Sequence, residues 1–408
     1  MPLADAIKET LGSQSMIRKM FEEGKLLKKQ YGEDKVFDFS LGNPDLEPPP
    51  AFNQTLLKFA KDDRKGAHGY MANAGFPEAR EIIAEKASGE QNVRIDGSHI
   101  IMSCGAAGGL NVVFKVILNP GDEVIVPCPY FMEYRPYAAN HGGRIVEAAT
   151  KPDFSLDLDA IREKLSPKTA AVLINSPNNP TGRIYPAGAV AGLAEIMEGH
   201  GKKCGRMPYL ISDEPYRDIV YDNVYVPPVL SAYRESIVVF SYSKSLSLSG
   251  ERIGYIAVSP EVSDRENFLA ALIYATRILG FVNAPALMQR MVAELTQAKV
   301  DVEVYAQRRR AFTKILDQAG IEYAKPDGAF YLFCKVPGRS QMPASGDASG
   351  ADGDDRAFVE HLKKHLILGV PGSGFGKPGW LRLAYCVDEK IINASGPAFK
   401  KAVEEWRN

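Results

Sequence analysis

Short apolar runs recur along the middle of the chain and have the length and composition of buried strands. The clearest are HIIMSCG, DEVIVPCP, TAAVLINSP, PYLISDEP, SIVVFSYSK and RIGYIAVSP. Each contains β-branched residues, and most end in Gly, Pro, Ser or Asp, which favour turns. Helix-period segments such as PAGAVAGLAEIMEGHGK lie between several of them. Because strands that alternate with helices favour a mostly parallel sheet covered on both faces, this region predicts an α/β domain.

The pattern departs from this alternation at two places. RIGYIAVSP follows SIVVFSYSK too closely for a long crossover helix, so we expect these two strands to be antiparallel. After about Phe281, helical segments run from roughly Ala284 to Ala319, followed by AFYLFCKV, FVEHLKKHL and WLRLAYCV. This mixture predicts a separate α+β unit. The small, acidic tract at 341–355 within it is typical of a mobile surface loop, and a functional lid is the second interpretation.

Composition narrows the class of protein. A chain of 408 residues favours two domains, or one large α/β domain with a satellite. Its 45% hydrophobic and 24% charged residues are ordinary for a globular protein, and a net charge of −1 does not favour nucleic acid or an anionic membrane as a partner. The sequence has no membrane-length apolar run and no signal-peptide pattern. Five scattered cysteines fit a reducing compartment, so we expect a cytoplasmic protein.

Polar residues follow four of the predicted strands. TAAVLINS leads into PNNPTG, PYLIS into DEPY, SIVVF into SYSK, and HIIMS into CGAAGG and a helix. Taken singly, each is explained by a turn, a helix cap or a solvated loop. In a parallel sheet, however, ligands bind beyond the carboxyl ends of the strands. The four segments together therefore indicate one shared site.

These segments resemble the class I/II pyridoxal-phosphate-dependent aminotransferases, the aspartate aminotransferase fold family. SYSKSLSLSGERIGY resembles the family block S-x-S-K-x-x-x-x-x-G-x-R-x-G, NNPTG resembles its N-P-T-G turn, and DEPYRD its D-E-x-Y block. Similar matches, such as SLGNPD and WLRLAYC, extend over nearly the whole chain. The resemblance implies fold type I, in which a large domain with a mostly parallel seven-stranded sheet between helices carries a smaller α+β domain. The expected ranges are 1–45 for an N-terminal arm and part of the small domain, 46–283 for the large domain, and 284–408 for the small domain.

The resemblance implies three catalytic residues. Lys244 would form the Schiff base with pyridoxal 5'-phosphate, and Asp213 would pair with the pyridine nitrogen. Tyr216 and Asn179 would contact the phenolic oxygen of the cofactor, and Asn179 also belongs to the expected substrate site. A lysine removed from bulk water has a lowered pKa, so it can add to an aldehyde and later move a proton. A carboxylate at the ring nitrogen keeps the ring protonated and electron-withdrawing.

The phosphate of the cofactor needs donors and positive charge. By resemblance, Ser241 and Ser243 supply hydroxyl groups, and Arg252 supplies a guanidinium, which can form a bidentate pair with phosphate. The turn Gly105-Ala106-Ala107 opens a helix, whose free amides and dipole favour an anion. Tyr70 matches a tyrosine that reaches the phosphate from the other subunit, which implies a homodimer with shared active sites.

Ring stacking and substrate binding complete the expected site. Phe131 is predicted to stack on the pyridine, with a register uncertain by one residue against Tyr130. Arg382 matches the arginine that binds the substrate α-carboxylate, and Gly42 a backbone position that faces the same group. Arg277 is a hypothesis for binding a distal carboxylate. Other candidates for that distal cation are Lys65 and His68.

The resulting prediction is a homodimeric aminotransferase. It would move an amino group from an L-amino acid to a 2-oxo acid, with 2-oxoglutarate as the expected acceptor, in ping-pong half-reactions that resemble those of aspartate aminotransferase. A C–S β-lyase or another amino-acid lyase on the same fold is the alternative, and a non-catalytic cofactor-binding regulator is a minor one. No metal is expected, because His361 and His365, one helical turn apart, have no evident third ligand in the sequence.

Overall fold

The N-terminal segment is joined to the far end of the chain. The computed structural model describes residues 3–5, 7–8, 16–339 and 354–408, so most of the tract predicted as a surface loop, residues 341–353, lies outside the described residues. Helix α1 spans Met16–Tyr31 and is followed by the short strand β1, Phe37–Asp38. This strand pairs in parallel with Ile367–Leu368. The N-terminal segment therefore packs with the C-terminal part of the fold.

The middle of the chain forms a seven-stranded sheet between helices. Its elements are α2 (Ala51–Ala60), α3 (Pro77–Gln91), β2 (Ile100–Ser103), α4 (Gly105–Ile117), β3 (Glu123–Cys128), α5 (Tyr134–Ala139), β4 (Arg144–Ala149), α6 (Leu158–Lys164), β5 (Thr169–Asn175), α7 (Ala187–Cys204), β6 (Tyr209–Asp213), β7 (Ser236–Ser241), α8 (Tyr242–Ser245), β8 (Gly254–Val258) and α9 (Arg265–Ile278). The strand order is β2-β8-β7-β6-β5-β3-β4. Strand β8 is antiparallel to both of its neighbours, and every other pair is parallel. The mostly parallel sheet and the antiparallel β7–β8 pair are both confirmed.

Burial on both faces explains why the strands are apolar runs rather than alternating patterns. All seven residues of β5 are buried. Val172 and Ile174 belong to the core on one face of the sheet, whereas Ala171 and Leu173 belong to the core on the other. Successive side chains of a strand point to opposite faces, so a strand between two helical layers is apolar at all its inner positions, as Ala170–Ile174 are.

The C-terminal part combines helices with a small antiparallel sheet. Its elements are α10 (Ala286–Glu294), α11 (Val302–Ala319), β9 (Tyr323–Ala324), β10 (Tyr331–Lys335), α12 (Asp355–Lys364), β11 (Ile367–Leu368), β12 (Val370–Pro371), β13 (Trp380–Ala384) and α13 (Glu389–Arg407). The sheet order is β12-β13-β10-β9, and α11 packs along α13. Met288 and Met291 of α10 join the core of the seven-stranded sheet instead. The three domain ranges given above stay predictions.

None of the helices within the described residues is both long enough and apolar enough to cross a membrane.

Candidate active site

A cavity of about 280 Å³ opens beyond the carboxyl ends of β5, β6 and β7. The three strands run in parallel, so Asn175, Asp213 and Ser241 at their ends lie along one edge of the sheet. The N-terminal segment and the C-terminal sheet close the cavity from the other side. Its lining comprises Leu41, Gly42, Ala106, Ala107, Leu110, Phe131, Tyr134, Tyr137, Asn175, Asn179, Asp213, Pro215, Tyr216, Ser241, Ser243, Lys244, Ser249, Arg252, Tyr331 and Arg382.

Lys244 lies in the single helical turn α8, directly after β7. Ser241 caps this turn by accepting a hydrogen bond from the Ser243 backbone amide at 3.2 Å. The Nζ of Lys244 donates to the Gly42 carbonyl oxygen at 2.8 Å. Desolvation lowers the pKa of this amine to about 8, and the positive charges of Arg382 and Arg252 act in the same direction. A substantial fraction of the amine is therefore neutral, and nucleophilic, near pH 8.

Asp213 ends β6 with one carboxylate oxygen bonded and one without a partner. Its Oδ2 accepts a hydrogen bond from the Tyr134 hydroxyl at 2.5 Å. Its Oδ1 is buried and has no hydrogen-bond partner among the described residues. Burial raises the pKa of this carboxyl group to about 7, against the lowering effect of the Tyr134 hydrogen bond. A buried carboxylate oxygen that faces a cavity in this way is available to a donor from a ligand.

Aromatic side chains form one wall. The Tyr216 and Tyr331 hydroxyl groups are 2.8 Å apart and hydrogen-bonded. Phe131 meets the Tyr134 ring edge-on, with ring centroids 5.6 Å apart. Phe131 lines the cavity, whereas Tyr130 is 1% exposed and donates to Glu147 outside it. The geometry thus favours Phe131 over Tyr130 as the residue available for ring stacking.

At another end of the cavity, the guanidinium of Arg252 and the hydroxyl groups of Ser241 and Ser243 lie near the start of helix α4. Arg252 has left-handed backbone geometry with φ +54°, and its Nη1 donates to the Ser249 carbonyl at 2.8 Å. The Ser241 and Ser243 hydroxyl groups are bonded to each other at 2.8 Å. Gly105 has φ +72°, and a Cβ there would lie 2.9 Å from Arg252 Nη2. Only glycine lets the guanidinium approach the first turn of α4, whose amides have no side-chain cap.

Arg382 is a fully buried guanidinium that has no carboxylate partner among residues 16–339 and 354–408. It stands on β13 and is 1% exposed. Its Nη1 donates to Asn179 Oδ1 at 3.0 Å and its Nη2 to the Ser40 carbonyl at 2.7 Å, while Nε has no partner. The ring of Tyr331 lies 4.5 Å from the guanidinium carbon. Two of five N–H donors are used, so three remain for an anion.

Gly42 lies where a side chain has no room. A Cβ at this position would stand 2.0 Å from the Tyr331 hydroxyl oxygen. The same residue offers its carbonyl oxygen to Lys244. Glycine is therefore required for close approach of the N-terminal segment to the cavity.

Four predicted or candidate residues lie elsewhere in this chain. Tyr70 is 92% exposed, and Lys65 and His68 are also exposed on the surface. Arg277 is exposed because the buried face of α9 consists of other residues, among them Leu272 and Thr276. The structure brings none of the four to the cavity of its own chain, so their assignments stay predictions.

Several cavity residues are missing from the sequence-based site. They include Tyr134, Tyr137, Tyr331, Asn175 and Leu41. Tyr134 lies within the quoted segment PCPYFMEY, three residues after Phe131, so helical spacing could have drawn attention to it. Tyr331 comes from a strand of the C-terminal sheet, and no local signal in AFYLFCKV points to a contact with Tyr216.

Comparisons with known proteins agree on one family. The family profile described as aminotransferase class I and II matches residues 34–394. An amino transferase of known crystal structure from Eubacterium rectale is 37% identical, and the match covers 100% of each chain with a TM-score of 0.93. A probable aspartate/prephenate aminotransferase from Aquifex aeolicus is 33% identical over 384 residues, 91% of each chain. The structure of Thermus thermophilus aspartate aminotransferase with maleate is 26% identical, with coverage of 98% and 100% and a TM-score of 0.84.

Proposed function

The chain belongs to the class I and II aminotransferase family, and we propose that it binds pyridoxal 5'-phosphate at Lys244 and transfers an amino group from an L-amino acid to 2-oxoglutarate. Members of this family generally depend on this cofactor, take amino acids and 2-oxo acids as substrates, and are typically dimers. One observation carries the proposal. A single cavity is lined by an amine of lowered pKa and by a carboxylate oxygen and a guanidinium that have, respectively, no hydrogen-bond partner and no carboxylate partner in the part of the chain that the structure describes.

The residues fit the cofactor. The unpaired Oδ1 of Asp213 is suited to the protonated ring nitrogen, and Phe131 to the ring face. Arg252, the Ser241–Ser243 pair and the free amides at the start of α4 are suited to the phosphate. When bound, the cofactor supplies the electron sink that makes the hydrogen at the substrate Cα acidic.

Lys244 would hold the cofactor covalently and then act as the proton carrier. With substrate bound, its free Nζ, whose pKa is about 8, would accept the proton from the substrate Cα and donate it to the cofactor carbon C4′. Asp213, held by Tyr134, would keep the ring nitrogen protonated throughout. The Tyr216 hydroxyl, bonded to Tyr331, would orient toward the cofactor oxygen.

Arg382 would bind the α-carboxylate of the substrate. Its three free N–H donors and its position between Asn179 and Ser40 favour a bidentate pair with a carboxylate. Each hydrogen bond to a charged group contributes about 1.5–3 kcal/mol. Such a pair orients the Cα–H bond as well as binding the substrate.

A dicarboxylic donor would need a cation from a second chain. The cations that line the cavity within the described residues are Lys244, Arg252 and Arg382, and each has a task above. Arg277 and Tyr70 are exposed, so they are available to complete the site of a partner chain. We expect Arg277→Ala to reduce turnover of aspartate and glutamate far more than turnover of alanine. Equal losses for all donors would remove Arg277 from the proposal.

Two experiments test the reaction and the cofactor site. Borohydride reduction of the holoenzyme followed by peptide mapping should place the cofactor on Lys244, and a label on any other lysine overturns the assignment. A panel of amino donors with 2-oxoglutarate or pyruvate should give acceptor-dependent product. Release of pyruvate and ammonia without an added acceptor would instead indicate a β-lyase.

A further inference from the structure

Away from the cavity, a glutamate of α13 meets the two histidines at the end of α12. One ligand atom each from His361, His365 and Glu405 lies within 4.8 Å of the others. We propose that these three side chains form a binding site for Zn²⁺ or a chemically similar divalent transition ion. The sequence suggested no third ligand for the histidine pair. The fold supplies Glu405, which lies 40 residues further along the chain than His365.

The hydrogen bond of His361 leaves one of its ring nitrogens for a ligand. Its Nε2 donates to the Ala402 carbonyl oxygen at 2.8 Å, because a carbonyl can only accept. In the neutral ring the Nδ1 lone pair is therefore free. The Trp406 ring, with its centroid 5.4 Å away, packs against the imidazole. Ligating histidines commonly donate their other nitrogen to a carbonyl, which fixes the tautomer and the ring orientation.

The ligand atoms of the three side chains must move only slightly closer together to bind one metal ion. His365 Nε2 and Glu405 Oε2 are 3.1 Å apart. Bonds of about 2.0–2.1 Å in a tetrahedral zinc site place two ligand atoms roughly 3.3 Å apart. The widest separation in the cluster must therefore shorten by at most about 1.5 Å. The Glu405 side chain is 49% exposed, so it has the freedom to make this movement.

The ligand types decide which metals fit. Lys401 Nζ lies 3.7 Å from Glu405 Oε1, and Arg339, Lys364 and Arg407 line the adjacent cleft. Glu360 lines the same cleft, and the net positive charge opposes every divalent ion, so the choice of metal depends on the ligand types. Imidazole ligands favour Zn²⁺, Cu²⁺ and Ni²⁺. The site should thus bind zinc and leave magnesium in solution, with water as the fourth ligand.

Calorimetric titration of the holoenzyme with ZnCl₂ tests the site. The background should carry Cys204→Ser, because the exposed Cys204 thiol lies 3.8 Å from His200 Nδ1 and offers a competing site. We expect one zinc ion per chain. His361→Gln and His365→Gln should each weaken zinc binding at least tenfold, on the order of the effect of removing outer-shell partners. Glu405→Gln should weaken it less, and the exposed His68→Gln should leave it unchanged.

Visible absorption spectroscopy with Co²⁺ provides a second measurement on the protein that retains His361, His365 and Glu405. Co²⁺ bound by two imidazoles and a carboxylate should give the visible absorption of a tetrahedral site at one equivalent, and Zn²⁺ should bleach it. The proposal is overturned if the double variant His361→Gln/His365→Gln binds zinc like its parent. Absence of any bound Zn²⁺ or Co²⁺ in the Cys204→Ser background overturns it equally, and the contacts are then a plain ion pair and a helix-joining hydrogen bond.

Discussion

Asp213 and Glu214 are adjacent carboxylates at the end of one strand, and both are buried. Asp213 lines the cavity, has one oxygen without a partner and has its pKa raised to about 7. Glu214 is 1% exposed and has both oxygens bonded. Neighbouring residues of a strand point to opposite faces, so two similar groups enter different surroundings. Hydrogen-bond completeness distinguishes the structural carboxylate from the one available to a ligand.

Glu214, Ser212, Gln91 and Arg217 form a hydrogen-bonded cluster, which we call the closed set. The Oε1 of Glu214 accepts from Ser212 at 2.7 Å, and its Oε2 accepts from Gln91 at 3.1 Å and Arg217 at 2.8 Å. Arg217 also donates to the carbonyl oxygens of Glu90 and Val226. The set ties α3 to the loop after β6, and among the described residues no buried side-chain oxygen or nitrogen of Glu214, Gln91 or Arg217 lacks a hydrogen-bond partner. In the cavity, by contrast, Asp213 and Arg382 both keep unpaired atoms.

Replacing the cavity arginine should produce the largest effect. Arg382→Lys keeps the charge but loses the fork that pairs with a carboxylate, so kcat/KM should fall by about 10²–10⁴, corresponding to two hydrogen bonds of about 1.5–3 kcal/mol each. Steady-state kinetics with several donors measure the loss. Arg217→Lys is the matched change in the closed set and should leave kcat/KM of the folded enzyme nearly unchanged. A comparable loss of kcat/KM in both variants would contradict the assignment of a substrate-binding role to Arg382 and a structural role to Arg217.

Breaking the closed set should destabilise the protein instead. Glu214→Gln removes the nearer of the two carboxylates that face the buried Arg217 guanidinium and leaves Glu90 Oε2 at 3.8 Å from its Nε. The free energy of unfolding should therefore fall by about 3 kcal/mol, the lower end of the cost of breaking a buried ion pair. Urea unfolding of the apoenzyme at pH 8, followed by far-UV circular dichroism, measures it. An unchanged midpoint would mean that the contacts of Glu214 with Arg217 are energetically neutral.

Replacing the neighbouring carboxylate by its amide, Asp213→Asn, should instead increase the free energy of unfolding. Asp213 has a folded-state pKa of about 7, above its ordinary value of 3.8, so the native state binds more protons than the unfolded state between these values. Its contribution to stability is therefore lost as pH rises through this window. Asp213→Asn should raise the unfolding free energy of the apoenzyme by about 2–4 kcal/mol at pH 8, and by roughly half as much at pH 5.5. Destabilisation at pH 8 would contradict the pKa argument.

The sequence could predict the parts of this arrangement that depend on local order. The strand ends, the turn around Asn179 and the segment around Lys244 can be predicted because each lies in one short stretch of the sequence. The contacts of Arg382 with Asn179 and Ser40 join residues more than 200 positions apart, so no local pattern encodes them. Tyr331 was missed for the same reason, as was Glu405 beside the histidine pair. The roles predicted for Tyr70 and Arg277 would require a second chain, and their exposure in this chain leaves those predictions open.

Tyr134 and Tyr130 allow the smallest change that separates a carboxylate inside the cavity from one outside it. Tyr134 donates to Asp213 in the cavity, while Tyr130, stacked 6.3 Å from it, donates to Glu147 outside. Each Tyr→Phe change removes one hydroxyl-to-carboxylate hydrogen bond, worth about 1.5–3 kcal/mol. Tyr134→Phe should also raise the pKa of Asp213 further, because the hydrogen bond lowers it. At neutral pH the carboxyl group would then be mostly protonated and a poorer partner for a protonated ring nitrogen.

The two variants should therefore differ in cofactor affinity rather than in stability alone. For Tyr134→Phe we expect the Kd for pyridoxal 5'-phosphate to rise about tenfold at pH 7 and the defect to shrink above pH 8, where Asp213 ionises again. Tyr130→Phe should keep the parent Kd at every pH. Fluorescence titration of the two apoenzymes across pH 6.5–9 measures both curves. If they are parallel, Tyr134 only packs the wall of the cavity, and the free Oδ1 of Asp213 does not depend on it.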